Sequence, residues 1–318
     1  MNVSILIPTY KRPDLIVHAI NSCLEQTYAP YEIVIGDDSP DDVTADVVAE
    51  IQRTSAITIR YIHNKPSLKQ AANVNMLFNA ATGDKVMLLH DDDMLMPNSL
   101  DILVNTFREH PGIQVAYGKQ YIINENGVID HASSESFNRD FYRETKYAGD
   151  VLTPFEAGLG QQFPNNGYLI DADIVKKIQW TNDAGDACDY DFGYRVGVAG
   201  YKMYFVDEYL GKYRLSDNSI SLLKENDAAY QAFRIINNST PTSPMAREIR
   251  ARRLKERAPI AITGAVNMGK RKEAMSILFS EWYRSKLLSL RGIKRLLYIL
   301  FYVNPNQLTK RVSSPKSH

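Results

Sequence analysis

Cysteine is scarce in this sequence. Two of the 318 residues are cysteine, Cys23 and Cys188, and they stand far apart. They form no metal-type pair and point to a reducing compartment, with Cys23 read as a small buried hydrophobe. Long hydrophobic runs are missing too. The longest late one, Leu296 to Val303, has eight residues, where a membrane span needs ~20. Val3-Ser4-Ile5-Leu6-Ile7 is too short for a secretory h-region and is stopped by Pro8, so no signal peptide is expected. Internal repeats and low-complexity tracts are absent. So is net charge, since 37 basic residues balance 37 acidic ones. That zero conceals an asymmetry. From Arg247 onward there are 17 basic and 4 acidic residues, net +13, which leaves 20 and 33, net −13, for the rest. An acidic body suits a cation, and a basic tail suits an anionic surface.

What is present is an ordinary globular composition, 44% hydrophobic and 23% charged, enough for one large core and an appendage. Strand and helix signals alternate along the first half. Val3 to Ile7, Glu32 to Gly36, Ile57 to Ile62, Val86 to Leu89 and Val115 to Tyr117 read as strands. Pro13 to Leu24, Asp42 to Gln52, Lys69 to Ala81 and Ser99 to Phe107 read as helices between them. This alternation predicts an α/β fold with a mostly parallel, Rossmann-like sheet flanked by helices. The segment from Gly118 to Gly167 reads as polar and irregular, with a turn at Asn124 to Gly127. Ile170 to Ile178 and Phe192 to Val198 read as short helices and Lys202 to Val206 as a strand. Beyond Ser221 the pattern is helical, and Ala261 to Trp282 reads as a hairpin turning at Gly269.

In parallel sheets, ligands bind beyond the carboxyl ends of the strands. Two acidic clusters fall there: Asp37-Asp38-Ser39 and Asp91-Asp92-Asp93. Three consecutive carboxylates repel one another and coexist with the help of a cation or solvent. Hard oxygen ligands in a cleft suit Mg²⁺ or Mn²⁺. The plainer reading makes Asp92 or Asp93 the cap of the helix after Pro97, and Asp37-Asp38 a turn.

These segments resemble family 2 glycosyltransferases. The match runs through the strand and loop Val3 to Arg12, with Lys11 where the family commonly has Asn. It continues through Ser22-Cys23-Leu24-Glu25-Gln26-Thr27-Tyr28, then Glu32 to Ser39, then Asn75 eight residues before Gly83. Leu89-His90-Asp91-Asp92-Asp93 with Pro97 resembles the family's DxD region, His90 taking the first Asp position. Asp186 to Asp191 with Arg195 and Gly200 resembles its acidic helix segment, Cys188 replacing Glu. Tyr213 to Ser221 resembles its closing motif, Ser216 replacing His. The resemblance implies a GT-A fold over residues 1–221, followed by a helical extension at 222–282 and a basic amphipathic tail at 283–318.

It also implies roles. Pro8 and Tyr10 would frame the nucleotide base, Asp38 would accept from the N3–H of uracil or thymine, and Lys69 and Asn75 would lie at the donor. Asp91 would contact the ribose, and Asp92 and Asp93 would hold Mn²⁺ or Mg²⁺. Asp189 would be the general base, with Asp191, Arg195 and Arg214 in support; a cap for the following helix is the plainer reading of Asp189. The implied reaction moves a hexosyl or hexosaminyl unit from a UDP- or dTDP-sugar to a hydroxyl of a lipid-linked or surface glycan, with inversion. Two alternatives stay open. One is a nucleotide-sugar-binding homologue with weak or no activity. The other is a sugar-1-phosphate nucleotidyltransferase, disfavoured because Pro8 to Arg12 contains no glycine to cradle a triphosphate. In the tail, Arg284, Lys286, Arg291, Lys294 and Arg295 interleave with Leu287, Leu288, Leu290, Ile293, Leu296 and Leu297. The pattern fits a basic helix on anionic lipid or a helix packed on the protein. Nucleic acid is disfavoured because the acidic body would repel it. The expected location is cytoplasmic, peripheral on the inner membrane face.

Overall fold

Strands buried on both faces need side chains that are apolar on both faces, and the first strands have them. In the computed structural model, which describes residues 1–215 and 227–302, β1 (Val3–Thr9) is buried except at Pro8. β2 (Glu32–Asp37) is buried throughout. β1 pairs in parallel with β2 and with β4 (Lys85–Leu88), and β2 in parallel with β3 (Thr58–His63). The connecting helices are α1 (Pro13–Leu24), α2 (Val43–Thr54) and α3 (Gln70–Ala80). Ile16, Ala19, Ile20 and Cys23 of α1 join Ile5, Ile7, Ile33 and Ile35 in one core. Cys23 is fully buried, as a small hydrophobe would be, and burial pushes its thiol up to about 12.

The sheet order is β3-β2-β1-β4-β8-β6-β9-β5. Its second half holds β5 (Met94–Leu95), β6 (Val115–Ile123), β8 (Leu169–Asp171) and β9 (Met203–Arg214). β7 (Ile129–Asp130) pairs with β6 across the turn at Asn124 to Gly127, where Gly127 N–H donates to Asn124. β8 is antiparallel to both β4 and β6, whereas β6 and β9 run parallel. α4 (Ser99–Glu109) joins the two halves.

Several expected elements differ. Ile170 is in β8, not in a helix; only Ala172–Lys177 is helical, as α7. A strand of three residues, Leu169–Asp171, is too short for periodicity to separate it from a helix. The expected irregular stretch from Gly118 carries the rest of β6, β7, α5 (His131–Asp140) and α6 (Pro154–Gly160). α5 is capped by Asp130 and α6 by a Thr153/Glu156 capping box, a signature present in the sequence. α8 spans Cys188–Val198, so Asp189 lies in its first turn rather than ahead of it. β9 runs to Arg214, well past Val206, through a register shift near Tyr209.

The chain divides into two compact units. One takes in Met1–Asn182 and continues from Cys188 through β9. The other takes in Asp183–Ala187 and the helices after residue 226. That second unit contains α9 (Ala228–Asn237), α10 (Pro244–Asn267), α11 (Arg271–Phe279) and α12 (Leu290–Phe301). α10 and α11 form the expected hairpin, with Gly269 at φ 76° in the turn, a conformation that suits glycine. α12 docks within this unit. Arg295 donates to Pro259 and to the Tyr283 hydroxyl, and Tyr298 donates to Asn267. No described helix is long and apolar enough to cross a membrane. Ser216 to Ser221 of the expected closing motif, and the tail past 302, lie outside the described residues.

Candidate active site

The parallel half is ordered β3-β2-β1-β4, so connections diverge to either side of the β1/β4 boundary, the position at whose strand ends such sheets bind ligands. Thr9 ends β1, and Leu89 to Asp93 follow β4. Thr9 Oγ1 donates to Asp91 Oδ2 at 2.8 Å. The Arg12 guanidinium bridges Asp91 Oδ1 at 2.9 Å and Asp92 Oδ2 at 2.8 Å. Burial raises the proton affinity of Asp91; Arg12 opposes this, and Asp92 adds to it. Asp93 is pushed well up by burial and by Asp92, against the bonds it accepts. Those bonds come from Arg214 N–H at 2.8 Å and Asn166 Nδ2 at 2.9 Å.

Arg214 ties this turn down. Its Nε donates to the Asp92 carbonyl and its Nη1 to the carbonyls of Asn124 and Glu125. His90, Asp92 and Asp93 each offer one ligand atom, all within 4.8 Å of one another. Two carboxylates and an imidazole fit Mn²⁺ or Mg²⁺, and the Asp92 side chain, 18% exposed, is the accessible member of the pair. The repulsion inferred within the triplet is therefore met by Arg12, by Arg214 and Asn166, and by the protonation tendency of Asp93.

Beyond β2, the Asp38 carboxylate is almost fully buried and accepts four hydrogen bonds. Asn64 Nδ2 and Leu68 N–H donate to Oδ1, and Ser67 Oγ and Lys69 N–H to Oδ2. Asp38 thus holds the segment leading into α3. Asp37 accepts from Ser39 N–H and the Tyr61 hydroxyl. Lys69 has φ 73° and ψ 166°, a region populated essentially by glycine. Lys11 also has positive φ, 55°, and its N–H donates to Ser39 Oγ. The Asn common at this position in the resembling family tolerates that conformation better than Lys. Pro8 is half-buried, whereas Tyr10 is 52% exposed with the Lys11 ammonium over its ring. Both ends of the Asn75 amide are used on Trp180, accepting from its N–H and donating to its carbonyl. This fixes the segment between α7 and α8.

On α8, Asp191 is paired with Arg195 Nε at 2.6 Å, and Arg195 also donates to the Gln179 carbonyl. Asp189 Oδ1 accepts from Tyr190 N–H. Both acidic regions act electrostatically on the Tyr213 phenol. Burial raises its pKa, and the carboxylates of Asp93, Asp189 and Asp92 raise it further. Phe137 stacks on Tyr213 with ring centroids 5.5 Å apart. The sequence reading did not single out Arg12, Thr9, Asn64, Asn166 or Tyr213. Thr9, Arg12 and Tyr213 lay inside recognised motifs, which was the signal available; Asn64 and Asn166 carry none until the chain folds.

Two family models match. "Glycosyl transferase family 2" covers residues 4–163, and "Glycosyl transferase family group 2" covers 85–303. An uncharacterized glycosyltransferase of Methanocaldococcus jannaschii is 25% identical over 229 residues, 70% of this chain and 74% of the relative. The Escherichia coli UDP-Glc:alpha-D-GlcNAc-diphosphoundecaprenol beta-1,3-glucosyltransferase WfgD is 31% identical over 127 residues, 40% of this chain and 49% of the relative, so the match spans about half of that enzyme. S. aureus TarS 1-349 in complex with UDP-GlcNAc superposes with a TM-score of 0.67 at 16% identity, covering 100% of this chain and 93% of that one. The mannosyltransferase PcManGT of Pyrobaculum calidifontis, in complex with GDP-Man and Mn²⁺, gives 0.61 at 16% identity, with coverages of 94% and 87%.

Proposed function

Because the chain belongs to glycosyl transferase family 2 and has the GT-A fold, we propose that it transfers a sugar from a UDP- or dTDP-sugar to a hydroxyl acceptor with inversion, Asp189 acting as general base. Membership decides against the nucleotidyltransferase alternative. The observation that carries the reading is the cluster after β4 in which His90, Asp92 and Asp93 bring ligand atoms within 4.8 Å of one another. That Asp93, Asp189 and Asp92 all act on the Tyr213 phenol supports a role for Asp189 beside them. Asp191, which pairs with Arg195, is the rival base; Asp189 is preferred because it stands six residues before Arg195, the spacing of the family motif.

In this reading each residue has a part. Pro8, Tyr10 and Lys69 would border the donor beyond β1 and β2, and Asp38, which holds the segment leading into α3, would shape its place. Asp91, held by Thr9, would meet the ribose. His90, Asp92 and Asp93 would hold Mn²⁺ or Mg²⁺, whose charge would stabilise the diphosphate leaving group. An acceptor hydroxyl becomes a competent nucleophile when Asp189 takes its proton as the glycosidic bond forms, and the diphosphate leaves from the opposite face. Asn75 and Arg195 position α8 through Trp180 and Gln179.

WfgD acts on a diphosphoundecaprenol-linked sugar by its printed name, which supports a lipid-linked acceptor here. α12 supports a membrane surface, and with it a peripheral location on the cytoplasmic face. It exposes Leu290, Ile293, Leu297, Leu300 and Phe301 beside Arg291 and Lys294.

The test is a panel of nucleotide sugars assayed for nucleoside diphosphate release with Mn²⁺, using Asp189→Asn and Asp191→Asn side by side. The expected result is turnover of a UDP- or dTDP-sugar that falls by about 10²–10⁴-fold in Asp189→Asn, with nucleotide binding nearly unchanged. An inactive Asp191→Asn beside an active Asp189→Asn would reassign the base.

A further inference from the structure

Arg12 is anchored by its backbone but reaches out with its side chain. It follows Lys11, whose N–H is fixed by Ser39, and its own carbonyl accepts from Ile16 N–H as α1 begins. The guanidinium is 27% exposed and closes on two carboxylates, Asp91 and Asp92, through a single nitrogen, Nη1. Asp92 Oδ2 is thus satisfied by a cation that belongs to the chain. A divalent cation at Asp92 and a guanidinium on the same carboxylate repel each other at contact distance. One must yield. A diphosphate arriving at the same strand ends offers the guanidinium a better partner, since its planar fork matches phosphate oxygens bidentately.

We propose that Arg12 is an internal competitor for the divalent cation at Asp92, released by the donor's diphosphate, so that cation and nucleoside diphosphate bind cooperatively. This rests on the reading of Asp92 as a cation ligand. The cation alone meets a carboxylate already neutralised. The diphosphate alone meets Arg12 held on Asp91 and Asp92. Together each removes the other's obstacle, and linkage requires the gain to be equal in both directions. A static ion pair would instead neutralise the carboxylates without changing how the two ligands influence each other.

The test measures Mn²⁺ binding by electron paramagnetic resonance of the free ion, with and without saturating UDP and, in parallel, dTDP, corrected for Mn²⁺ held by nucleotide in solution. Wild type is compared with Arg12→Gln and Arg12→Lys, each first shown to be folded by circular dichroism. In Arg12→Gln, Mn²⁺ alone is expected to bind on the order of 10-fold more tightly, and the enhancement by nucleotide to shrink by a similar factor, within the usual range of coupling. Arg12→Lys keeps the charge without the fork and is expected to fall between. An enhancement factor equal in wild type and Arg12→Gln would overturn the competitor role while leaving the cation site standing. Absence of Mn²⁺ binding to wild type, with or without nucleotide, would overturn the cation site and the inference together.

Discussion

Lys69 is held in a backbone conformation that costs of order 1–3 kcal/mol for a residue with a side chain, and Asp38 is what holds it, through the Lys69 and Leu68 N–H groups. Two outcomes follow. Lys69→Gly should stabilise the fold by about 1 kcal/mol, strain relief outweighing the extra chain entropy of glycine; urea denaturation measures it, and unchanged stability would mean the strain is not there. Asp38→Ala should both weaken UDP or dTDP binding and destabilise the protein by at least ~2 kcal/mol, because buried donors lose their acceptor. Normal stability with weakened binding, compared by melting and calorimetry, would leave base contact as its main role. The acidic residues were legible in the sequence because three carboxylates after an apolar strand have few uses. Arg12 was not. Its partners lie 79 and 80 residues further on, and no local pattern in a loop arginine announces them.

At the scale of elements, β9 shows how a strand can hide. Asp207 and Glu208 interrupt its apolar pattern and the register shifts near Tyr209, so alternation ends early even though pairing with β6 continues. That continuation delivers Tyr213 and Arg214 to the site. Arg214→Ala should cost about 1.5–3 kcal/mol through lost charged hydrogen bonds, and should weaken Mn²⁺ binding as the Asp92-Asp93 turn loosens. Chemical denaturation and Mn²⁺ titration read the two effects, and an unchanged Mn²⁺ affinity would confine Arg214 to stability. In the parallel half, strands β1, β2 and β4 were legible because burial on both faces leaves apolar runs, β3 because apolar and polar residues alternate in it, and the capping box of α6 was legible in principle. At the opposite end of that half, Glu32 joins β1, β2 and the turn before β4, accepting from Ser4, Thr82 and Arg60. Burial pushes its carboxyl up, but the bonds from Arg60, Ser4 and Thr82 outweigh burial and hold it below the ordinary value. A lowered folded value means that its contribution is present at neutral pH and fades as the pH falls through that value. Wild type should therefore melt above Glu32→Gln at pH 7, and the gap should narrow as the pH falls below the ordinary glutamate range. A gap independent of pH would contradict the shift.

For the whole molecule, the charge division seen in the sequence falls largely along the two units, because the basic residues after Arg247 belong to the helical one. Leu290 is 81% and Phe301 71% exposed on α12, and such side chains gain about 1.5–3 kcal/mol each when buried. Intact protein should bind phosphatidylglycerol vesicles at low salt and release them as salt rises. Replacing Ile293 and Leu297 with Glu should reduce binding at least about 10-fold. Cutting the chain at Tyr283 is a poorer test, since that side chain is fully buried and bonded to Arg295. Failure to bind vesicles at low salt would leave α12 a packing helix. The strand order has a consequence for the life of the chain before it is finished. β4 and β6 both wait for β8, and β6 waits also for β9, so the acidic cluster is assembled from segments as distant as Arg12 and Arg214. At about 5–20 residues per second, the ribosome takes about 10–40 seconds to pass from one to the other. For the last 121 residues of that interval, from Asp93 to Arg214, the newborn chain carries the carboxylates without the arginine that ties their turn down, and once β6 is made its far edge awaits a strand still to be synthesised.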